Sequence, residues 1–346
     1  MKSPLLRLLL AVAVSFCWPL PTVAQQADLS LYNYSGSDRM ARIIAAAKKE
    51  GAITWYTSLA PKDSAMIIKD FEEKYGIKVT AWRSGDDKVL QRIITESNGK
   101  NYKADLAQIQ IQNMEALSRE KLLQSVNSPS FKDLVPGAVP KHHEWAIAQI
   151  TLFVMAYNTK LVKKEDLPRS YKDLLDPKWK GKIGIEATDY DWFSAVTTDL
   201  GGDAGVQLFR NIVERNGLSV RTGHSLLANL ISAGEVPLAL NVYQYKAVQL
   251  KRDGAPVDWF SLEPTIAFST AIGVMNHATH PNAALLFYEY MLGDGQKVMA
   301  SLDDAPSNIK VESPFKSVKF TFIDPNAALD KGAKRENLFN DVILRK

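Results

Sequence analysis

Side chains that could bind a small solute follow the predicted strands of this chain or begin the helices that come next. They carry hydroxyl, amide, carboxylate, phenol and guanidinium groups, which recognise anions and polar organic molecules through hydrogen bonds. In open α/β sheets, ligands bind outside the carboxyl ends of the strands, where helix N-termini present free N–H groups. The candidate ligand-binding residues are Thr57, Ser58, Ser84, Gln110, Thr188, Asp189, Tyr190, Arg221, Thr222, Ser225, Tyr243 and Tyr245. Together they predict a site for a small polar or anionic solute.

Some of these candidates have a second interpretation. Ser225 is favoured as a direct contact because a strand end and a helix start coincide there, but its hydroxyl could instead serve only as the helix N-cap. Arg221 could pair with a carboxylate or phosphate, or be a solvated surface charge. Tyr243 and Tyr245 are two residues apart, so on one strand both rings would face the same side, toward a ligand or as a core or surface pair.

Motifs of catalytic chemistry are incomplete in this chain. Residues 223–227 begin like a nucleophile elbow but have Leu227 where the motif requires glycine. His142-His143-Glu144 lacks the His-Glu-x-x-His spacing that places two zinc ligands on one helix face. Asp303 and Asp304 are adjacent and expected to be exposed, which does not place two carboxylates across a substrate. The sequence therefore predicts no enzyme and no catalytic residue, and a secreted hydrolase is the alternative from another class.

The first two dozen residues have the pattern of a secretory signal. Lys2 and Arg7 lead into an apolar run over residues 8–18, and Thr22-Val23-Ala24 forms a small-residue cleavage site. The apolar run is too short to span a bilayer, which takes roughly 20 residues. We therefore expect a protein that works outside the cytoplasm, with the signal peptide cleaved near Ala24.

Composition narrows the possible partners. Cys17 is the only cysteine and would leave with the signal, which excludes a disulfide, a thiolate metal site and a cysteine nucleophile. The 42 Lys and Arg nearly balance the 38 Asp and Glu, so the chain lacks the basic excess of a nucleic-acid or anionic-membrane binder. The charge balance predicts no nucleic-acid partner, and the candidate residues above indicate a small-molecule solute. No cofactor is expected, and the expected state is a monomer.

Alternating strand and helix patterns position the candidate residues in two α/β blocks. The first block has strands at 53–56, 78–83 and 105–109, with helical spacing between them. The second block has strands at 183–186, 219–221 and 236–243. The candidate residues follow these strands, which predicts two sheets whose ligand-binding edges face each other.

Two long apolar, β-prone segments at 145–157 and 265–276 separate the blocks and predict crossings between two lobes. The predicted division is a signal peptide at 1–24, a discontinuous lobe 1 at 25–150 plus 270–346, and lobe 2 at 151–269. The last 40 residues are polar and weakly patterned, so we expect them to wrap the surface.

Several short motifs carry a family resemblance across nearly the whole mature chain. They are Lys48-Lys49-Glu50-Gly51, Phe71-Glu72-Glu73-Lys74-Tyr75-Gly76-Ile77-Lys78-Val79, Ala104-Asp105-Leu106, Ala156-Tyr157-Asn158-Thr159-Lys160, Ala233-Gly234-Glu235-Val236-Pro237, Gly254-Ala255-Pro256-Val257-Asp258-Trp259 and His280-Pro281-Asn282-Ala283-Ala284. The chain resembles the extracellular solute-binding proteins of ABC importers, family 1, in the cluster with ferric-ion, polyamine, thiamine and phosphonate or sugar-phosphate binders. The resemblance implies the type II periplasmic fold, two flavodoxin-like α/β lobes joined by two crossing strands. It also implies a periplasmic location, a solute held in the cleft by hinge closure and an ABC permease in the inner membrane as partner. A receptor that feeds a sensor kinase instead of a transporter is an alternative that the sequence leaves open.

The ferric-binding members of that family give an alternative ligand. They use a His after the first strand, a Glu after the third and two adjacent tyrosines in the second lobe. The corresponding positions here are Ala60, Gln110 and the Tyr243-Gln244-Tyr245 segment. Ferric ion prefers charged oxygen donors, so no metal is expected as the main ligand. If iron is bound, the resemblance points to Tyr243 and Tyr245 as its ligands.

Overall fold

A computed structural model describes residues 29–345 of the chain. The predicted signal peptide, its cleavage site and Cys17 lie outside the described residues. Within the described part, none of the helices has the length and apolar character needed to cross a membrane.

Residues 29–345 form a mixed α/β structure. The strands are β1 (Ala52–Thr57), β2 (Lys78–Arg83), β3 (Leu106–Gln110), β4 (Leu123–Gln124), β5 (Ala146–Asn158), β6 (Ile183–Glu186), β7 (Ser219–Arg221), β8 (Leu238–Tyr243), β9 (Val257–Phe260), β10 (Ile266–Met275) and β11 (Thr321–Phe322). The α-helices are α1 (Ser30–Asn33), α2 (Arg39–Glu50), α3 (Pro61–Tyr75), α4 (Asp86–Asn98), α5 (Ile111–Arg119), α6 (Tyr190–Asp199), α7 (Asp203–Asn216), α8 (His224–Ala233), α9 (Gln244–Arg252), α10 (Pro281–Leu292), α11 (Gly295–Ser301), α12 (Pro325–Asp330) and α13 (Gly332–Phe339). Short 3-10 helices span Pro129–Asp133, Lys164–Asp166, Tyr171–Leu175 and Pro177–Trp179, and a π-helical turn spans Asn340–Leu344.

One continuous set of strand pairings joins two half-sheets, in the order β2-β1-β3-β10-β5-β8-β6-β7. The pairs of β1 with β2 and β3 are parallel, as are those of β6 with β7 and β8 and that of β10 with β11. Strands β5 and β10 run antiparallel to each other, to β3 and to β8 where they pair with them. Strand β5 pairs with β10 over residues 146–152 and with β8 over 153–157. Its 13 residues span roughly 40 Å, long enough to serve both half-sheets.

Each half-sheet has its own hydrophobic core. In the first lobe, the ring of Phe287 lies 5.0 Å from that of Trp55 and 4.9 Å from that of Phe71. In the second, Phe209 lies 5.2 Å from Phe193 and 6.0 Å from Trp192. Such tilted and edge-on aromatic contacts add to the free energy gained from burial. The predicted fold class, two α/β lobes joined by two crossing strands, is confirmed.

The C-terminal segment departs from the predicted division, which assigned 270–346 to lobe 1. Phe339, Val342 and Ile343 belong to the second core, and α13 packs against α6. The Phe339 ring contacts Phe193 at 5.5 Å and Tyr190 at 5.3 Å between ring centroids. These apolar residues recur at helical spacing, a stripe too short to stand out in a polar sequence. Helix α12, just before, packs against α5 of the first lobe.

A buried ion pair holds α2 against α10 in the first lobe. Arg39 Nη1 lies 2.6 Å from Glu289 Oε1, and both residues are buried. Glu289 Oε2 accepts hydrogen bonds from the hydroxyls of Ser128 at 2.6 Å and Ser130 at 3.2 Å. Removing one member of a buried pair leaves an uncompensated charge in a medium of low dielectric.

We therefore expect Arg39→Met to lower the free energy of unfolding by about 3–5 kcal/mol, because the carboxylate of Glu289 would lose its cation. Arg42→Met is the matched control on the same helix. The Arg42 side chain is 57% exposed and pairs with Asp38 at the surface, so its loss should change the free energy of unfolding little. Urea unfolding followed by circular dichroism measures both, and equal effects of the two substitutions would contradict the prediction.

Candidate functional site

Two cavities lie in the cleft between the lobes, each of about 610 Å³, and they share Tyr243 and Phe268. We call the first the lysine cavity. It is lined by Ser58, Leu59, Ala60, Lys62, Asp63, Arg83, Asp86, Gln149, Thr151, Tyr243, Tyr245, Lys246, Gln249, Arg252, Asp253, Phe268, Thr270, Ser301, Leu302, Asp303 and Asp304. We call the second the histidine cavity. It is lined by Asp87, Gln110, Gln112, Phe153, Glu186, Thr188, Asp189, Tyr190, Asp191, Trp192, Thr222, Gly223, His224, Tyr243, Phe268 and Ile323.

The first lobe supplies basic groups to the lysine cavity from two strand ends. Lys62 lies in the first turn of α3, which begins at Pro61 with no side-chain cap from Ala60. Arg83 ends β2, and its Nε donates to the Leu59 carbonyl at 3.1 Å. Helix N-termini attract anions, so both the side chains and the backbone favour negative charge at this edge.

The second lobe supplies two tyrosines and a lysine to the same cavity. Tyr243 ends β8 and Tyr245 lies in the first turn of α9, so the two do not share a strand as the sequence pattern predicted. The turn still brings their rings together, 5.8 Å apart and nearly parallel. Lys246 Nζ lies 5.2 Å from the centroid of the Tyr245 ring. Burial raises the pKa of Tyr245 to about 12 and that of Tyr243 further.

Asp304 forms part of the wall of the lysine cavity, and the expectation that it is exposed is wrong: only 4% of its surface is accessible. Its Oδ2 accepts from Gln149 Nε2 at 2.9 Å, and the side-chain oxygen Gln149 Oε1 accepts from Thr270 Oγ1 at 3.2 Å. Burial raises the pKa of Asp304 to about 7, the carboxylates of Asp63 and Asp303 add to the rise, and the Gln149 bond opposes it.

Two contacts tie the lobes together beside the lysine cavity. Arg252 on α9 lies 2.8 Å from Asp303, which follows α11 of the first lobe. Gln244, the first residue of α9, is fully buried, and its Oε1 accepts from the Leu152 N–H of β5 at 2.6 Å. Leu152 is the residue at which β5 changes partner from β10 to β8.

Carboxylates dominate the histidine cavity. Glu186 ends β6, and its carboxylate accepts from Gly223 N at 2.8 Å and from Thr188 Oγ1 at 2.9 Å. Asp189 Oδ1 lies 3.2 Å from His224 Nε2, and Asp189 Oδ2 accepts from Asn241 Nδ2 at 2.6 Å. Burial raises the pKa of Asp189 to about 6; Glu186 adds to the rise, and the His224 and Asn241 contacts oppose it.

The structure distributes the sequence-predicted residues over three environments. Ser58 and Tyr245 line the lysine cavity, and Tyr243 lines both cavities. The histidine cavity contains Gln110, Thr188, Asp189, Tyr190 and Thr222. Neither cavity is lined by Thr57, Ser84, Arg221 or Ser225.

These last four residues have other surroundings. Thr57 is buried and its hydroxyl accepts from Leu59 N at 3.1 Å, while Ser84 N donates to the Thr57 carbonyl. Arg221 is exposed and donates to a neighbouring carbonyl. Ser225 is exposed within α8, whose N-cap is Gly223, so the N-cap interpretation of Ser225 is wrong. Because α8 starts one residue earlier than expected, His224 faces the cavity instead.

Several residues of the cleft are not among the sequence-predicted candidates. Lys62, Lys246 and His224 all lie in the first turn of a helix that follows a strand. The strand-end rule, that ligands bind where strands end, would have found them if it had been extended one turn into each helix. Glu186 is a strand end itself. Gln149 and Asp304 carry no such local signal, because the first lies within a crossing strand and the second follows a short helix.

Comparison with known proteins gives a consistent picture. Residues 56–298 match the family model described as bacterial extracellular solute-binding protein. An Fe(3+)-binding periplasmic protein of Serratia marcescens is 23% identical over 244 residues, which cover 67% of this chain and 71% of that protein.

Two solved structures share the fold. Iron-bound HitA from Pseudomonas aeruginosa aligns with a TM-score of 0.69 at 23% identity, over 84% of this chain and 99% of that one. AfuA from Actinobacillus pleuropneumoniae, with exogenous fructose-6-phosphate bound, aligns with a TM-score of 0.66 at 22% identity, over 86% of this chain and all (100%) of that one. At these identities the likeness establishes the two-lobed architecture.

The raised pKa of Asp304 makes stability depend on pH. The folded state holds this proton up to a pKa of about 7, against an ordinary value of 3.8. The folded state therefore binds more protons between these values, and the free energy of unfolding should fall as pH rises through that window. We expect Asp304→Asn to remove this loss and to be more stable than wild type at pH 8 by on the order of 2 kcal/mol. Urea unfolding at pH 5 and pH 8 tests this; a wild-type pH dependence in the variant would refute it.

Proposed function

The chain belongs to the bacterial extracellular solute-binding proteins, the substrate-binding components of ABC transporters, and we propose that it captures a small anionic solute in the lysine cavity. The observation that supports an anionic solute is that three basic side chains of this cavity have no carboxylate partner in the described part of the chain. Among residues 29–345, neither Lys62 nor Lys246 has a carboxylate within 4.0 Å. Arg83 is held by main-chain carbonyls. These three cations are available to a ligand.

The carboxylates of the cavity are mostly engaged. Asp303 pairs with Arg252 at 2.8 Å, and Asp86 accepts the Gln110 N–H at 2.8 Å. Burial raises the pKa of Asp304 to about 7, which favours its neutral form, and raises that of Asp63, which the charges of Lys62 and Lys246 oppose. Protonation of Asp304 therefore leaves less negative charge in the cavity than a count of its carboxylates indicates.

Capture of the solute would couple to closure of the lobes. Lys62 and Arg83 come from the first lobe, whereas Tyr245 and Lys246 come from the second. A ligand that contacts both sides binds the closed arrangement better than the open one, so its binding energy shifts the population toward closure. The closed form is then the signal that a permease in the inner membrane reads.

A binding protein fits this site better than a hydrolase. Ser225, the candidate nucleophile of the incomplete elbow, is exposed on α8 and lines neither cavity.

We also propose that the protein acts in the periplasm as a monomer after cleavage near Ala24. Intact mass of the protein recovered from the periplasm would test the cleavage site.

An anion should raise the melting temperature of the ligand-stripped protein in a thermal-shift panel of phosphate, phosphonates, sugar phosphates and carboxylates. A ligand at about 100 times its Kd adds roughly 2.7 kcal/mol of stability. We expect Lys62→Met and Lys246→Met each to weaken the responding anion about tenfold, since a charge-assisted bond is lost. Tyr245→Ala should also weaken it.

Two variants serve as controls for this experiment. Lys48→Met removes an exposed lysine on α2 outside both cavities, and Ser225→Ala alters the residue that the sequence favoured but the cleft does not contain. Both should bind as wild type. Wild-type affinity in the Lys62 and Lys246 variants, or no response to any anion, would overturn the proposal.

Ferric ion is the second candidate, supported by the Tyr243–Tyr245 pair and by the names of the iron-binding relatives. Both rings line the lysine cavity, their centroids are 5.8 Å apart, and they could supply two phenolate oxygens. Their raised pKa values oppose ionisation, so iron would need a chelating anion as a further charged donor. The basic groups of the lysine cavity could hold such an anion.

If iron is the ligand, ferric citrate should stabilise the protein and produce a visible phenolate-to-iron absorption band. The double variant Tyr243→Phe/Tyr245→Phe should lose the band while keeping its melting temperature without iron. Stabilisation by an anion alone, with no added effect of iron, would exclude this candidate.

A further inference from the structure

The histidine cavity contains a cluster of metal-ligating side chains that the anion proposal does not use. Glu186, Asp189 and His224 each offer one ligand atom, and these atoms all lie within 4.8 Å of one another. Glu186 ends β6, Asp189 directly precedes α6, and His224 is the first residue of α8. Three separate segments therefore converge on one point at the second-lobe side of the cleft.

Both carboxylates are held in place by neutral donors. Glu186 is fixed by Gly223 N and by the Thr188 hydroxyl, and Asp189 by Asn241 Nδ2 at 2.6 Å. Asn241 Oδ1 in turn accepts the Glu186 N–H at 2.9 Å. Carboxylates that ligate metals are oriented in this way by surrounding hydrogen bonds. The cluster is preorganised rather than a chance meeting of flexible acids.

The imidazole of His224 is positioned as a nitrogen donor. Its Nε2 lies 3.2 Å from Asp189 Oδ1, and its ring stacks on Tyr243 with centroids 3.6 Å apart. Its Nδ1 is buried without a hydrogen-bond partner among the described residues. Ring stacking fixes the plane of the imidazole, with Nε2 beside the carboxylate and Nδ1 without a partner among the described residues.

The charge of the cavity favours a cation. Its lining includes four carboxylates, those of Asp87, Glu186, Asp189 and Asp191, and no Lys or Arg of the described chain. Asp191 pairs with Arg335 at 2.9 Å, whereas no Lys or Arg among residues 29–345 pairs with Glu186 or Asp189, and His224 is the titratable base beside Asp189. Glu186, which is buried, and Asp189, which is half-buried, repel each other when both are ionised, and a cation between them would remove that repulsion.

We propose that Glu186, Asp189 and His224 form a binding site for one divalent first-row transition-metal ion. One imidazole nitrogen and two carboxylate oxygens suit ions such as Mn²⁺ or Zn²⁺, and the remaining coordination positions open into the cavity. The site uses none of the basic groups of the lysine cavity and no tyrosine oxygen, although Tyr243 stacks on His224. It goes beyond the anion proposal and stands independently of it.

The test uses untagged mature protein, dialysed against EDTA and then against metal-free buffer, with MnCl₂ or ZnCl₂ titrated by calorimetry and no solute present. We expect one ion per chain. His224→Phe keeps the stack on Tyr243 but removes the nitrogens, and Asp189→Asn keeps the shape but removes a charge. Each should weaken metal binding at least about tenfold. Far-ultraviolet circular dichroism of both variants shows whether they fold as wild type.

His280→Phe is the matched control, since His280 Nδ1 also lies 2.9 Å from a carboxylate, that of Asp105, but outside both cavities. It should bind metal as wild type does. Loss of the ion in Tyr243→Phe/Tyr245→Phe but not in His224→Phe would place it on the tyrosines and overturn the proposal. Absence of binding to wild type, or wild-type affinity in both cluster variants, would do the same. The affinity of the same preparation for anions is measured separately. A protein that binds an anion but no metal would contradict the metal site alone and leave the anion proposal standing.

Discussion

The change of pairing partner along β5 is the constraint on which the rest of the structure depends. Over its first half the strand completes the sheet of the first lobe, and over its second half that of the other lobe. A buried N–H group at such a transition needs a partner, because leaving it without one costs free energy. The side chain of Gln244 supplies the acceptor for Leu152. One amide therefore stabilises the crossing and fixes the start of α9, which positions Tyr245 and Lys246 in the cleft.

The lysine cavity and the histidine cavity differ in chemistry and share one aromatic pair. Tyr243 and Phe268 line both, so they separate a region with available lysines from one dominated by carboxylates. An anionic solute would favour the lysine cavity and a cationic one the histidine cavity. The burial of Asp189 and Asp304 favours their protonated forms and so lowers the negative charge of both cavities. The field that a ligand meets thus follows from the degree of burial as much as from the residue types.

Local sequence pattern predicted most of the fold and part of the site. The bounds of β2 and β6 match the predicted strands because each is an apolar or β-branched run between clear turn signals. The strand-end rule found Tyr243 and Asp189 for the same reason. It missed His224 because the helix begins one residue before Ser225, and one residue on a helix turns a side chain by about 100°. Asp304 could not be found, since its burial depends on contacts made by distant strands.

The C-terminal segment is a third crossing of the chain between the lobes, besides β5 and β10. Helix α12 rests on α5 of the first lobe, where Arg119 Nη1 lies 2.7 Å from Asp330, and α13 follows at once on the second lobe. Two strands alone act as a simple hinge, whereas a third attachment removes a degree of freedom from the relative motion. The last twenty or so residues therefore restrain the relative motion of the lobes, although none of those that the structure describes lines either cavity. Variation there could tune how fast a solute enters and leaves without altering a single contact to it.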